Sequence, residues 1–180
     1  MLSNMLIILS GLPGTGKTTI ARELARQLKA VHVRIDSIEQ AIKSSGLIME
    51  PMNDAGYRVG YAIAEDNLRA GLTVVADSVN PIQITRDAWI AVARNTKHPA
   101  LEIEIKCSDP AEHQRRVETR IADIAGHRIP SWHEVSAVNY HSWNREHLVI
   151  DTAKQTINEA VALIVGEVRK LQKSSGRNRR

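Results

Sequence analysis

The sequence is poor in aromatic residues and in cysteine. Its 180 residues contain no phenylalanine, three tryptophans, three tyrosines and one cysteine, Cys107. A single cysteine excludes an internal disulfide framework and favours a reducing compartment, so we expect a cytoplasmic protein. Cys107 ends a predicted interior strand and is expected to be a small buried residue.

Long apolar runs and a basic amino-terminal start are also missing. No apolar stretch approaches the roughly 20 residues that a membrane-spanning helix requires, so we expect no membrane partner. The first residues, MLSNMLIILSG, lack the positive charges that begin a signal peptide, and their short apolar run leads directly into a glycine-rich loop. This start therefore predicts a strand.

Positive charge is concentrated at the end of the chain. The net charge is +4, but six of the 24 basic residues lie from residue 169 onward without any acid, and the other 18 face 20 acidic residues. We expect one folded domain over residues 1–173 and a basic, disordered tail over residues 174–180. A nucleic-acid-binding arm is the less favoured interpretation, because the tail has no aromatic side chains to stack on bases.

Apolar runs alternate with helical periodicities along the chain. Strands are predicted from about residues 5, 31, 72, 101 and 148, and an apolar stripe on the helix after the first strand recurs every fourth residue from Ile20 to Leu28. A helix is predicted from Pro110 to about Ile124, followed by an irregular segment over 126–144. The alternation predicts a three-layer α/β fold with a parallel sheet and helices on both faces.

The glycine-rich loop after the first strand matches the phosphate-binding P-loop pattern, from Gly11 to Lys17 and Thr18. Glycines let successive backbone N–H groups turn toward one anion, and the following helix N-terminus favours negative charge. Lys17 is predicted to bridge the β- and γ-phosphates, and Thr18 to offer its hydroxyl to Mg²⁺. The predicted cofactors are ATP and Mg²⁺, and the predicted nucleotide-binding residues of the loop are Gly11, Leu12, Pro13, Gly14, Thr15, Gly16, Lys17, Thr18 and Thr19.

Two aspartates end predicted parallel strands. Because the carboxyl ends of parallel strands meet at one edge of a sheet, Asp36 and Asp77 are expected to lie near the P-loop. Asp77 ends an apolar run, as a Walker B carboxylate that positions Mg²⁺ does. Asp36 is predicted to be the general base for an attacking hydroxyl. The alternative for each is a helix N-cap.

Four segments carry a resemblance to a known family: GLPGTGKTTIARELA, RIDSIEQAI, AGLTVVADSVNP and DTAKQTINEAV. Residues 5–160 resemble the small P-loop kinases of the adenylate-kinase-like fold, within the AAA-type ATP-binding family of predicted kinases that includes zeta-toxin, chloramphenicol phosphotransferase and polynucleotide kinase relatives. The resemblance implies a five-stranded parallel sheet, transfer of the γ-phosphate of ATP to a hydroxyl, and a catalytic role for Asp36. Adenylyl-sulfate kinases usually show a serine-rich loop and an Asp-Gly-Asp segment, where this chain has LPGT and RIDS.

The family resemblance also implies a small lid, over about residues 121–145, that brings arginines to the phosphates. Arg116 and Arg120 are four residues apart and are expected on one helix face. Arg120 is predicted to be catalytic and Arg116 to bind the nucleotide, with Arg128 a weaker candidate and a solvated charged face the alternative. Trp132 and Trp143 either stack on a ring or pack the lid against the body.

Several other polar residues leave alternatives open. Arg34 is predicted either to contact Asp36 or an acceptor phosphate, or to form a structural ion pair. Arg58 either contacts an acidic acceptor or lies on a surface helix. The spacings of the histidines at 127, 133, 141 and 147 match no zinc pattern, so no metal site is predicted there.

Three functions are compatible with these motifs. The favoured hypothesis is a Mg²⁺-dependent kinase that phosphorylates a hydroxyl of a small-molecule acceptor. The alternatives are a nucleic-acid 5′-end kinase, suggested by the basic tail, and a nucleotide-dependent regulatory ATPase without an acceptor. A GTPase is not predicted, because the guanine-reading Asn-Lys-x-Asp motif is missing. The identity of the acceptor and the oligomeric state have no sequence signal.

Overall fold

A computed structural model describes residues 4–46 and 53–177, with side chains described as far as residue 173. The strands are β1 (Leu6–Ser10), β2 (Val31–Arg34), β3 (Val74–Asp77), β4 (Ala100–Lys106) and β5 (Leu148–Asp151). The helices are α1 (Lys17–Leu28), α2 (Ile35–Ser44), α3 (Ala55–Arg69), α4 (Gln83–Thr96), α5 (Pro110–Thr119), α6 (Trp132–Ser136) and α7 (Ile157–Arg177).

The five strands form one parallel sheet in the order β2-β3-β1-β4-β5. Leu9 of β1 and Arg34 of β2 both pair in register with Asp77 of β3. The carboxyl ends of the three strands therefore meet at one edge, directly beneath the loop that follows β1. The predicted α/β fold with a five-stranded parallel sheet is confirmed.

Two apolar layers enclose the sheet, one on each face. The central strand β1 is wholly buried, and its side chains alternate: Ile7 and Leu9 pack with α1 and α7, whereas Leu6 and Ile8 pack with α3 and α4. This alternation follows from the two-residue repeat of a strand and makes every residue of β1 a core residue. The sheet is thus a rigid base from which the loop after β1 projects.

Several local expectations are corrected by the structure. The segment over 126–144, predicted to be irregular, contains α6, which a capping box of Ser131 and Glu134 begins. The helix that begins at Pro110 ends at Thr119 and not near Ile124, because Arg120 has an extended backbone and Ile121 is 87% exposed, so a longer helix would bury nothing. Residues 174–177, predicted to belong to a disordered tail, continue α7, since serine and glycine lower helix propensity by less than about 1 kcal/mol each and no proline intervenes. Residues 178–180 lie outside the described part. Cys107 is half-buried just beyond β4.

Candidate active site

The loop between β1 and α1 has the backbone of a phosphate cage. Gly11, Gly14 and Gly16 have φ values of 148°, 84° and 88°, in the region that side chains disfavour. A Cβ at Gly11 would lie 2.1 Å from the carbonyl oxygen of Ile105, and one at Gly14 would lie 2.5 Å from a methyl of Val117. Gly11 and Gly14 are therefore required both by backbone conformation and by the close approach of β4 and α5, and Gly16 by its backbone conformation.

A cleft of about 390 Å³ opens in front of this loop and the N-terminus of α1. Its volume is within the usual range for small-molecule sites. Seven of the nine predicted loop residues line it. Gly11 and Thr15 do not, and the Thr15 hydroxyl donates to the carbonyl oxygen of Leu12 at 2.9 Å. The other charged residues of the lining are Arg22, Asp36, Arg115, Arg116, Arg120 and Asp123.

Lys17 and Asp77 form a buried ion pair at the base of the cleft. The Nζ of Lys17 donates to one carboxylate oxygen of Asp77 at 3.0 Å, and Nε2–H of His32 donates to the other at 3.3 Å. Burial raises the pKa of Asp77, but the charge of Lys17 and the hydrogen bond from His32 outweigh it and hold that pKa below its usual range. Asp77 is therefore ionised beside the phosphate loop.

Asp36 lines the same cleft from the first turn of α2. One of its oxygens lies 3.6 Å from a guanidinium nitrogen of Arg34. Arg34 is the residue before α2 and makes no capping contact there, and Asp36 lies inside the helix, so Asp36 is not an N-cap. Asp77 is no cap either, because α4 begins only at Gln83. The helix-cap alternative is wrong for both aspartates.

Arg34 forms a structural ion pair with Asp123, which was one of the alternatives predicted for it, in addition to its contact with Asp36. Its guanidinium donates through both terminal nitrogens to Asp123, at 2.8 and 3.1 Å. Arg22 of α1 also donates to Asp123, and a nitrogen of Arg120 lies 3.7 Å from its other oxygen. One carboxylate from the loop after α5 thus meets three arginines from three parts of the chain.

Arg116 is tied to the other side of the phosphate loop. Its guanidinium donates to the hydroxyl of Thr152 at 2.8 Å and to the Thr152 carbonyl oxygen at 3.1 Å. The Thr152 hydroxyl in turn donates to the backbone carbonyl oxygen of Thr15 at 2.8 Å. Arg120 was predicted to share a helix face with Arg116, but it follows the last residue of α5 in extended backbone, so only Arg116 is helical.

Two other candidate arginines do not line the cleft. Arg128 pairs with Glu134 at 2.6 Å, and its side chain is 78% exposed. Arg58 pairs with Asp54 at 2.8 Å on the exposed face of α3. For both residues the surface interpretation is confirmed.

Both tryptophans of the segment after α5 pack against the body. Trp132 meets the ring of His113 edge-on, with 5.1 Å between centroids, and Nε2–H of His113 donates to the carbonyl oxygen of Pro13 at 2.8 Å. Trp143 stacks on His147, with 4.0 Å between centroids, and on the buried guanidinium of Arg86. The packing alternative is confirmed for both.

Sequence reasoning missed several residues of the site. Asp123, Arg22, His32, His113 and Thr152 were not singled out, and only Asp123 had a local signal, its three-residue spacing from Arg120. Within residues 4–46 and 53–177, no group of three or more histidine, cysteine or acidic side chains is arranged to hold a metal ion. No helix in the same part of the chain has the length and apolar character to span a membrane.

Comparison with known proteins identifies the family. The chain matches the family described as an AAA domain (AAA_33) over residues 6–131 and belongs to it. It is 30% identical over 156 residues to a shikimate kinase of Corynebacterium glutamicum, an alignment that covers 78% of this chain and 88% of the relative. It is 25% identical over 179 residues to a probable adenylyl-sulfate kinase of Aeropyrum pernix, which covers 92% of each.

A solved structure shares the fold. The APS kinase of Mycobacterium tuberculosis, in complex with AMPPNP and APS, matches with a TM-score of 0.69 at 16% identity and covers 94% of this chain and 99% of that one. The family match and the shikimate kinase relative identify the protein as a P-loop kinase and do not specify its acceptor. The finer resemblance to zeta-toxin, chloramphenicol phosphotransferase and polynucleotide kinase stays a prediction.

Proposed function

We propose that the protein is a Mg²⁺-dependent kinase that transfers the γ-phosphate of ATP to a hydroxyl of a small-molecule acceptor. The supporting observation is that the phosphate loop, Lys17 and Asp36 open into one cleft of about 390 Å³. A phosphoryl donor and a proton acceptor are needed side by side for such a transfer, and this cleft offers a place for each.

The phosphates of ATP are proposed to lie on the N–H groups of the loop and the N-terminus of α1. Lys17 now donates to Asp77, and a polyphosphate in the loop offers it a second, more negative partner. Arg116 reaches the loop through Thr152 and is proposed to contact the nucleotide from that side.

The residues predicted to hold Mg²⁺ suit that ion chemically. Thr18 offers a hydroxyl at the cleft, and Asp77 offers an ionised carboxylate behind it, so both donors are the hard oxygens that Mg²⁺ prefers. Both oxygens of Asp77 are already paired, which favours contact through a bound water over direct coordination. When bound, Mg²⁺ would neutralise charge on the β- and γ-phosphate oxygens.

Asp36 is proposed to accept the proton of the attacking hydroxyl. The acceptor oxygen forms a bond to the γ-phosphorus, the bond from that phosphorus to the β,γ-bridging oxygen breaks, and ADP leaves. Arg120 is proposed to stabilise the negative charge on the transferring phosphoryl group. Residues 121–145 are proposed to act as a lid that excludes water from that group.

The acceptor class is proposed to be a small hydroxyl compound. The two relatives named above are kinases of two chemically different acceptors, so their names together favour phosphorylation of a hydroxyl and leave the rest of the acceptor undefined. The LPGT and RIDS segments depart from the usual adenylyl-sulfate kinase pattern. A cytoplasmic location is part of the same proposal.

The proposal is tested by calorimetry followed by turnover. Wild-type protein should bind a non-hydrolysable ATP analogue with Mg²⁺, and at least one hydroxyl compound from a metabolite panel should stimulate ADP release. Nucleotide binding with no stimulation by any compound would favour the regulatory ATPase, and stimulation only by RNA or DNA 5′ ends would favour the end kinase.

Asp36→Asn separates chemistry from binding. The substitution keeps the size of the side chain and removes the proton acceptor, so transfer should fall by about 100-fold or more while the affinity for the ATP analogue stays within about threefold. Asp66→Asn, at an exposed position of α3, is the matched control and should be fully active. Full activity of Asp36→Asn would show that the assignment of the base is wrong.

A further inference from the structure

Among the described residues, the loop between α5 and α6, residues 120–131, is joined to α1 and β2 by one carboxylate, that of Asp123. Asp123 accepts hydrogen bonds from Arg34 of β2 and from Arg22 of α1, and within the described ranges no other hydrogen bond or ion pair joins this loop to α1 or β2. The contact spans 89 residues of sequence. It therefore fixes one point of the loop beside the cleft.

Arg34 is a fixed anchor for this contact. It ends an edge strand whose backbone is paired with β3, and its side chain is only 5% exposed. Both terminal nitrogens of the planar guanidinium donate to Asp123, one to each carboxylate oxygen. This bidentate geometry restricts the orientation of the carboxylate as well as its position. The same guanidinium lies 3.6 Å from Asp36, the proposed base.

Arg120 is linked to that anchor by the same carboxylate. The Oδ1 of Asp123 accepts from Arg34 at 3.1 Å and lies 3.7 Å from a nitrogen of Arg120. Arg120 lies just beyond the last residue of α5 and has an extended backbone, so the helix does not orient its side chain. Among the described residues, Asp123 is the ion-pair partner of Arg120, and both line the cleft.

We propose that Asp123 is a positioning residue that joins Arg120 to the anchored Arg34 and holds the Arg120 guanidinium over the phosphate end of the cleft. The inference rests on the proposed function, in which Arg120 acts on the transferring phosphoryl group. Without the charge of the carboxylate, three guanidiniums would face one another, and their mutual repulsion would push Arg120 and its loop away from the cleft.

The ionisation of Asp123 is consistent with this role. Hydrogen bonds from Arg34 lower the pKa of Asp123 well below its usual range; partial burial opposes them, and Arg22 adds to the lowering. The carboxylate is therefore charged at neutral pH, when it must balance the arginines around it.

The first test measures the loop without nucleotide. Hydrogen–deuterium exchange of residues 120–130 and trypsin cleavage after Arg120 should both be at least about threefold faster in Asp123→Asn than in wild type, because the loop loses its charged contact with the body. Asp123→Glu keeps the charge and should restore at least half of the protection. Glu118→Gln, at an exposed carboxylate that accepts from Gln114, is the control and should behave as wild type.

The second test measures turnover. In Asp123→Asn, kcat should fall by about 10- to 100-fold while the Kd of an ATP analogue changes by less than about threefold, because a misplaced arginine affects the transferring group more than the bound nucleotide. A purely structural role would lower stability without this separation of kcat from binding, and would overturn the inference.

Two other results would also overturn it. Unchanged exchange in Asp123→Asn would show that the carboxylate does not hold the loop, and faster turnover or tighter nucleotide binding would show that Asp123 competes with phosphate instead of positioning Arg120. The exchange experiment needs no activity. If Asp123→Asn speeds exchange of the loop but the wild-type protein transfers no phosphate to any acceptor, the proposed function is overturned. If the wild type is an active kinase but Asp123→Asn leaves exchange unchanged, the positioning role is overturned.

Discussion

Replacing Lys17 with methionine should destabilise the protein even when no nucleotide is present. The Lys17 Nζ and Asp77 are 3.0 Å apart, and their side chains are 8% and 1% exposed. Removing one partner of a buried ion pair typically costs about 3–5 kcal/mol, because the remaining charge stays buried without its counter-charge. Among the residues that the structure describes, the side chain left to hydrogen-bond Asp77 would be His32 at 3.3 Å.

That cost is large relative to the stability of a domain, which is about 5–15 kcal/mol. For a chain of this length each 1 kcal/mol shifts the melting temperature by roughly 2–4 °C, so Lys17→Met should melt about 6–20 °C below wild type. The assay is thermal unfolding at pH 7 without nucleotide, followed by circular dichroism. Lys43→Met, at an exposed position of α2, is the matched control and should melt with wild type.

A double variant tests the reason for the loss. In Lys17→Met/Asp77→Asn the buried charge is gone, so this protein should be more stable than Lys17→Met alone, and the two substitutions should not be additive. Calorimetry should also show that Lys17→Met no longer binds the ATP analogue tightly. If Lys17→Met melts within about 2 °C of wild type, or the double variant is the less stable, the account of the buried pair is refuted.

Two further predictions concern the loop and acid stability. Gly14→Ala should weaken binding of the ATP analogue at least tenfold by calorimetry, because φ is 84° and the new methyl would lie 2.5 Å from Val117; Gly46→Ala, with φ of 76° and open space around it, is the control, and equal effects of both would contradict the steric argument. The pKa of Asp77 is lower in the folded protein than the ordinary value of about 3.9, so its stabilisation is complete above that value and is lost as the pH falls below it. Melting temperatures measured from about pH 7 to pH 3 should therefore decline less steeply for Asp77→Asn than for wild type, and parallel curves would count against the lowered pKa.

Much of the candidate site could be predicted because its residues follow local rules. The glycines of the phosphate loop, Lys17 and Thr18 are contiguous. Asp77 ends β3, and Asp36 comes two residues after β2 ends, in the first turn of α2, so the apolar pattern of each strand was enough to place its aspartate. Parallel strands then place such ends at one edge without further information. The arginines after α5 could not be sorted in this way, since Arg116, Arg120 and Arg128 have similar sequence surroundings and different orientations.

The sequence by itself determined the order of the strands, the phosphate loop and the two aspartates that follow strands, because each depends on neighbouring residues and on the periodicity of apolar side chains. Only the tertiary structure decided that Asp123 pairs with Arg34, 89 residues away, and that His32 supports Asp77, 45 residues away. Side-chain contacts across such separations depend on the paths that whole strands, helices and loops take through the fold. No local pattern along the chain encodes that outcome.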